Sequence, residues 1–340
     1  MNRGNPDGPF LATALGKRAA RRPMWIMRQA GRYLPEYRAM RERYSFLELC
    51  NTPEAAAEVT LQPIDRFDLD AAILFTDLLV PIAPMGVGLR YEPGPVLSRT
   101  VQSAADVEAL GALDPDTDLA PMLETVRLVR QRLDPGKALI GFVGAPFTLA
   151  CYMIEGKGSK TWDRTRRLLH EQPEVFDALL DRLASALEPL VAALVANGCD
   201  AVQTFDSWAA VLAPGDWAER CAPRTERLLR AARDAGGVAI HYVNGAAQHM
   251  PRMVESCAHV LAFDWRLDMS AARALAPDTT LQGNLDPTML FAAPDRLRQA
   301  VRAVCTGAGA ERHIFNLGHG ILPEVDPAAV EVLCDEVRRS

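Results

Sequence analysis

Eight short apolar runs recur along the chain, each too unalternating to leave one face in water, with longer stretches of helical periodicity between them. The runs cover residues 24–28, 71–75, 138–143, 201–205, 238–243, 260–265, 280–284 and 313–317. Helical patterns cover 54–67, 119–132, 173–197, 217–235 and 295–304, and a last one follows Asp326-Pro327. Their starts and stops are punctuated: Thr52-Pro53 opens the first and Gly236-Gly237 closes the fourth. Strand and helix in regular alternation predict a parallel sheet wrapped in helices, and eight units predict a single-domain (β/α)8 barrel. A doubly wound sheet would carry a Gly-x-Gly-x-x-Gly turn after an early strand, and the chain has none. An N-terminal helical extension precedes the first run, with residues 1–8 expected as a disordered tail. No repeat, low-complexity tract or linker divides the 340 residues.

Barrel enzymes work at the C-terminal ends of their strands, and here those ends are polar. In order they offer Arg28, Asp77, Gly144 with Pro146, Asp206 with Ser207, Asn244, Asp264, Asn284 and His319. The first run delivers the densest chemistry. Pro23-Met-Trp-Ile-Met leads into a glycine-hinged loop where Arg28, Arg32, Arg38 and Arg41 lie close together. Guanidinium groups capture carboxylate or phosphate in two-pronged fashion, so the segment fits a polyanionic ligand. Only four of the 37 basic residues are lysine, so arginine density by itself leaves a solvated basic loop and a binding site as equal alternatives.

Bulk charge narrows the partners. A formal charge of −6 argues against a nucleic-acid or anionic-membrane surface, whereas a local basic pocket in an acidic protein fits a small anion. No apolar run is long enough to cross a bilayer. The seven cysteines are scattered without a Cys-x-x-Cys pair, which suggests reduced thiols and a cytoplasmic location. Asp7 is the one acid in the first 22 residues, which leaves a transit peptide open; an ordinary first helix is the preferred reading.

Met27-Arg-Gln-Ala-Gly-Arg-Tyr-Leu-Pro-Glu-Tyr-Arg38 resembles the N-terminal signature of the uroporphyrinogen decarboxylase family. Gly141-Phe-Val-Gly-Ala-Pro-Phe-Thr-Leu-Ala-Cys-Tyr-Met-Ile-Glu-Gly156 resembles its second signature, and Asn316-Leu-Gly-His-Gly-Ile-Leu-Pro323 the segment holding its site histidine. Phe75-Thr-Asp-Leu-Leu79 and Phe205-Asp-Ser-Trp208 resemble its aspartate and serine segments, so the likeness spans nearly the whole chain. The resemblance implies a (β/α)8 barrel acting as a homodimer without metal or organic cofactor. The implied reaction removes carbon dioxide from the four acetates of uroporphyrinogen III, giving coproporphyrinogen III. By matching position, Arg28, Arg32 and Arg41 would bind substrate carboxylates, Asp77 would face the pyrrole N–H groups, and Tyr152, Ser207 and His319 would line the cleft. Asp77, Arg28 and His319 are the expected catalytic groups, with Asp77 balancing charge, His319 binding or polarising, and the proton donor unassigned.

Two rivals remain beside this reading. A zinc- or corrinoid-dependent methyltransferase on a similar barrel would place His-x-Cys at a strand end, where this chain has His241-Tyr-Val243. A non-catalytic tetrapyrrole-binding protein would keep the arginines but gain little from Asp77 beside an anionic ligand. Gly156-Lys-Gly-Ser-Lys160 lacks phosphate-loop spacing and reads as a mobile lid, and Met85-Gly-Val-Gly88 as a turn. His170, His249 and His259 read as structural.

Overall fold

The computed structural model describes residues 4–92 and 94–340. Its strands are β1 (Ala71–Ile73), β2 (Leu89–Tyr91), β3 (Pro95–Leu97), β4 (Ala138–Gly144), β5 (Ala201–Asp206), β6 (Val238–Val243), β7 (Val260–Phe263), β8 (Thr280–Leu285) and β9 (His313–Leu317). Seven of them form one curled parallel sheet in the order β1-β4-β5-β6-β7-β8-β9, and β2 pairs with β3 in an antiparallel hairpin. Every residue of the seven parallel strands but Phe142 is buried, as strands covered by helices outside and packed side chains inside must be.

Residues 24–28, expected as the first strand, close the barrel without forming one. Met24 makes a single parallel bridge to Phe315, and the Asp70 N–H donates to the Met24 carbonyl at 3.0 Å. The segment therefore lies between β9 and β1 as an eighth stave. Trp25 N–H keeps a backbone bond to the Phe315 carbonyl at 3.2 Å, while three other donors are diverted to side chains: Met24 N–H to Asp70 Oδ2, Ile26 N–H to Gln29 Oε1 and Met27 N–H to Asn316 Oδ1. A stave whose amides are bonded this way keeps its place but loses the ladder that defines a strand.

The barrel interior is filled from below. Helix α1 (Pro9–Ala14) contributes Phe10, Leu11 and Ala14 to the apolar cluster that holds Trp25, Ile140, Ile240, Val260 and Ile314. A hydrogen-bonded chain crosses this interior, from Trp25 Nε1 to Gln282 Oε1 at 3.0 Å and from Gln282 Nε2 to Gln203 Oε1 at 2.9 Å. The α1 plug is the N-terminal helical extension anticipated from sequence. Of the expected tail, residues 1–3 lie outside the described residues. Residues 4–8 are anchored beneath the barrel, with Gly4 N–H donating to Asp200 and Asn5 N–H to the Pro135 carbonyl.

Three helices follow the first stave: α2 (Pro35–Arg43), α3 (Phe46–Asn51) and α4 (Pro53–Phe67). A reciprocal Ser45–Glu48 capping box fixes the start of α3. The β2–β3 hairpin, for which sequence patterning gave no expectation, stands beyond β1. Leu97 N–H donates to the Gly156 carbonyl at 2.7 Å, and Val96 bridges to Lys157, so the expected lid segment is tied to the hairpin.

Candidate active site

The first stave ends at Arg28, whose backbone turns left-handed with φ 63°. That conformation is costly for a side chain with a Cβ and persists only where its surroundings impose it. Here the side chain is pressed against the Gly318-His-Gly320 loop after β9. A Cβ on Gly320 would meet Arg28 Cδ at 2.3 Å, so glycine is required for the guanidinium to lie where it does. No ion pair or side-chain hydrogen bond engages Arg28 or Arg32 among the described residues, and both are exposed. The contrast with Arg220, Arg224 and Arg227 is direct, since those pair with Asp177, Asp181 and Glu188 across two packed helices. Cations kept free of acidic partners are available to a ligand.

Asp77 follows β1 and faces the same opening. Burial raises its carboxyl above the ordinary carboxylate range, while Tyr91, the Leu79 N–H and the Arg28 charge draw it back down. The Leu79 N–H bonds Oδ1 at 2.9 Å. The Tyr91 hydroxyl acts on this carboxyl yet has no partner within hydrogen-bond geometry. Arg28 also lowers Tyr152 and His319, so Arg28, Asp77, Tyr152 and His319 form one electrostatic group.

Tyr152 projects from the helix Pro146–Glu155 into an aromatic cluster with Trp162 at 5.2 Å and Trp208 at 6.3 Å. Burial and Asp77 push its phenol up to about 12. Ser207 is set in place by its N–H to Thr148 Oγ1 at 2.9 Å, and its carbonyl accepts from Asn244. It joins the group through its neighbour Trp208. His319 Nδ1 accepts the Gly320 N–H at 2.7 Å. Burial, with the Arg28 charge beside it, lowers its imidazole to about 4, so the ring is neutral at pH 7 and carries its proton on Nε2.

Arg41 sits on α2, half-buried over the Phe46 ring at 5.6 Å, with Nε bonded to the Tyr44 carbonyl. It reaches the group through Cys50, whose thiol feels both Arg41 and Asp77. Arg32 stays on the exposed loop, apart from these contacts. Three of the polar strand ends are spent on structure. Asp206 is buried and bonded to Trp217 Nε1 at 2.7 Å; Asp264 accepts from Gly245 and Ala246; Asn284 donates to the Asp264 and Leu267 carbonyls. His249 and His259 bond backbone groups, as structural residues do.

The residue that sequence reasoning missed is Tyr91, on β2. Two short runs flanking Glu92-Pro-Gly94 form a turn signal that marks a hairpin. For the methyltransferase alternative, His241 is buried, stacked on Trp217 at 6.1 Å, and Val243 stands where a thiolate would be needed. Among the described residues no group of three or more His, Cys, Asp or Glu side chains is arranged to hold a metal.

Comparison with known proteins identifies the family. Residues 5–340 match the family model of uroporphyrinogen decarboxylase (URO-D). The uroporphyrinogen decarboxylase of Syntrophotalea carbinolica is 47% identical over 335 residues, covering 98% of both chains. That of Geobacter metallireducens is 46% identical over 320 residues, covering 94% of both. Among solved structures, a methyltransferase from Methanosarcina mazei superposes with a TM-score of 0.82 over 99% of both chains at 15% identity, a likeness of fold alone. With a family match across nearly its whole length and relatives of this identity, the chain belongs to the uroporphyrinogen decarboxylase family.

Proposed function

We propose that the protein removes carbon dioxide from the four acetate side chains of uroporphyrinogen III, leaving methyl groups and yielding coproporphyrinogen III in porphyrin and haem biosynthesis. The observation that carries the reading is Asp77, a buried carboxylate at a strand end, facing the acid-free guanidinium of Arg28. Family membership supports the same reaction, in a homodimer acting in the cytoplasm.

The chemistry needs an electron sink, and the pyrrole itself supplies one. Protonating the pyrrole α-carbon next to the one that bears the acetate makes an iminium-like cation. The acetate C–C bond then breaks, carbon dioxide leaves, and its electrons neutralise the ring as an exocyclic methylene forms. A proton added to that methylene and one lost from the ring carbon give the methyl pyrrole, so one proton is consumed per carboxylate. Asp77 accepts pyrrole N–H bonds and balances the cation as it develops. At about 4 Å and an effective dielectric near 20 this attraction is roughly 4 kcal/mol, or about a thousandfold in rate when fully differential. Positioning supplies the rest. Arg28 and Arg32 serve the reacting acetate and Arg41 a propionate, because a buried carboxylate without a partner costs several kcal/mol. Neutral His319 offers Nε2–H as a polarising donor, and Tyr152 and Ser207 line the cleft.

The test is anaerobic incubation with uroporphyrinogen III, without added cofactor, followed by oxidation and separation of porphyrins by carboxylate number. Stepwise seven- to four-carboxylate products are expected. Binding without conversion would overturn the reading in favour of a carrier.

A further inference from the structure

Tyr91 has no assigned part in this reaction, yet its placement is unusual. The ring packs at a tilt on Phe46 at 4.8 Å, and Phe46 in turn packs on Phe75 at 5.9 Å, two residues before Asp77. Tyr37 braces Phe75 from the other side at 5.7 Å. The hairpin that carries Tyr91 is fixed at its far strand by the Leu97–Gly156 hydrogen bond, at the end of the helix bearing Tyr152. The phenol is thus held from both directions. Its hydroxyl is nevertheless buried and makes no well-formed hydrogen bond, Asp77 being the carboxylate on which it acts. Phenylalanine would give the same ring packing and spare the fold a buried unsatisfied group, so packing does not account for the hydroxyl.

We propose that the Tyr91 hydroxyl is a positioning group for Asp77, closing a hydrogen bond to its carboxylate when substrate fills the cleft and fixing the carboxylate toward the pyrrole N–H groups. This rests on the decarboxylase reading and deepens it. The Leu79 N–H occupies Oδ1 at 2.9 Å, and a second donor completes the restraint while one lone pair of the carboxylate stays open to substrate. The charges facing the pair agree. Tyr91 draws the Asp77 carboxyl down against burial, with Arg28 acting in the same sense, while burial first, and then Asp77, Cys50 and Tyr152, raise the Tyr91 phenol. The phenol therefore keeps its proton and serves as a donor throughout the working pH range.

The experiment is Tyr91→Phe in the full chain, assayed with uroporphyrinogen III across pH, alone and combined with Asp77→Asn. The ring and its packing on Phe46 survive, so the melting temperature should hold. We expect kcat to fall about tenfold with KM within about twofold, the value of one hydrogen bond to a charged group. The acid limb of the rate should move to higher pH, because the ionised carboxylate loses a donor. In the Asp77→Asn background Tyr91→Phe should add no further loss. A Tyr91→Phe protein with unchanged kcat and acid limb, or one losing as much activity without Asp77 as with it, would overturn the proposal. Wild-type protein that fails to convert uroporphyrinogen III would instead overturn the decarboxylase reading on which it stands.

Discussion

In the proposed reaction a single carboxylate and a single guanidinium set the chemistry of the cleft, and their environments differ in kind. Asp77 pays for burial with a raised carboxyl, which the Leu79 N–H, Tyr91 and Arg28 only partly offset. Its ionised form is therefore lost at a higher pH than that of a surface aspartate, and the acid limb of activity should lie above the usual carboxylate range. Asp77→Asn keeps the shape and removes the charge. In a kinetic comparison it should lower kcat by about a thousandfold while substrate affinity changes by no more than a few-fold. Equal losses in both would show that Asp77 binds substrate and does not favour the cation. At this scale the site was legible where residues end strands, since Arg28, Asp77 and His319 stand at such ends. Tyr91 was not, because three residues on a peripheral hairpin give no periodicity to read.

At the scale of elements, the loop after β9 and the stave that precedes α2 meet through Gly320. Both were expected from sequence, but their contact was not. Chain order separates Arg28 and Gly320 by nearly the whole protein, and only barrel closure brings them together. The eighth stave shows the same limit. Its apolar run was read correctly as a barrel element, yet three of its amides donate to the Asp70, Gln29 and Asn316 side chains, and no local pattern announces such substitution. Gly320→Ala tests the meeting point. The new methyl would overlap Arg28 Cγ and Cδ, so the guanidinium must move. Steady-state kinetics should show kcat/KM falling by about tenfold, the cost of loosening one charge-assisted contact, while the melting temperature changes little. A variant with wild-type kcat/KM would mean that Arg28 tolerates displacement and that its position carries no selectivity.

For the molecule as a whole, acid sensitivity should come from histidines shut inside it. Burial lowers His241 to about 3, with Arg252 and His249 adding to the effect, and it lowers His313 to about 3 with the Arg22 charge. An unfolded histidine titrates near 6.5, so between about pH 6.5 and 3 the unfolded chain binds protons that the fold refuses. Stability contributed by a group with a depressed folded pKa is present above the unfolded value and drains as pH falls, in this case by about 2 kcal/mol per histidine at pH 5. Asp206, raised by burial to about 6, works in the opposite direction, because the folded state takes up its proton first. His241 isolates the effect. Neither of its ring nitrogens has a hydrogen-bond partner, and its ring stacks on Trp217. Phenylalanine should keep that stacking without desolvating a polar ring, so His241→Phe should leave stability at pH 7 equal or higher. Denaturant titrations at pH 7 and pH 5 should show wild type losing about 2 kcal/mol more than the variant over that interval. Parallel losses in the two proteins would mean that His241 accepts its proton within the fold, and that the interior around Trp217 opens to water before the barrel does.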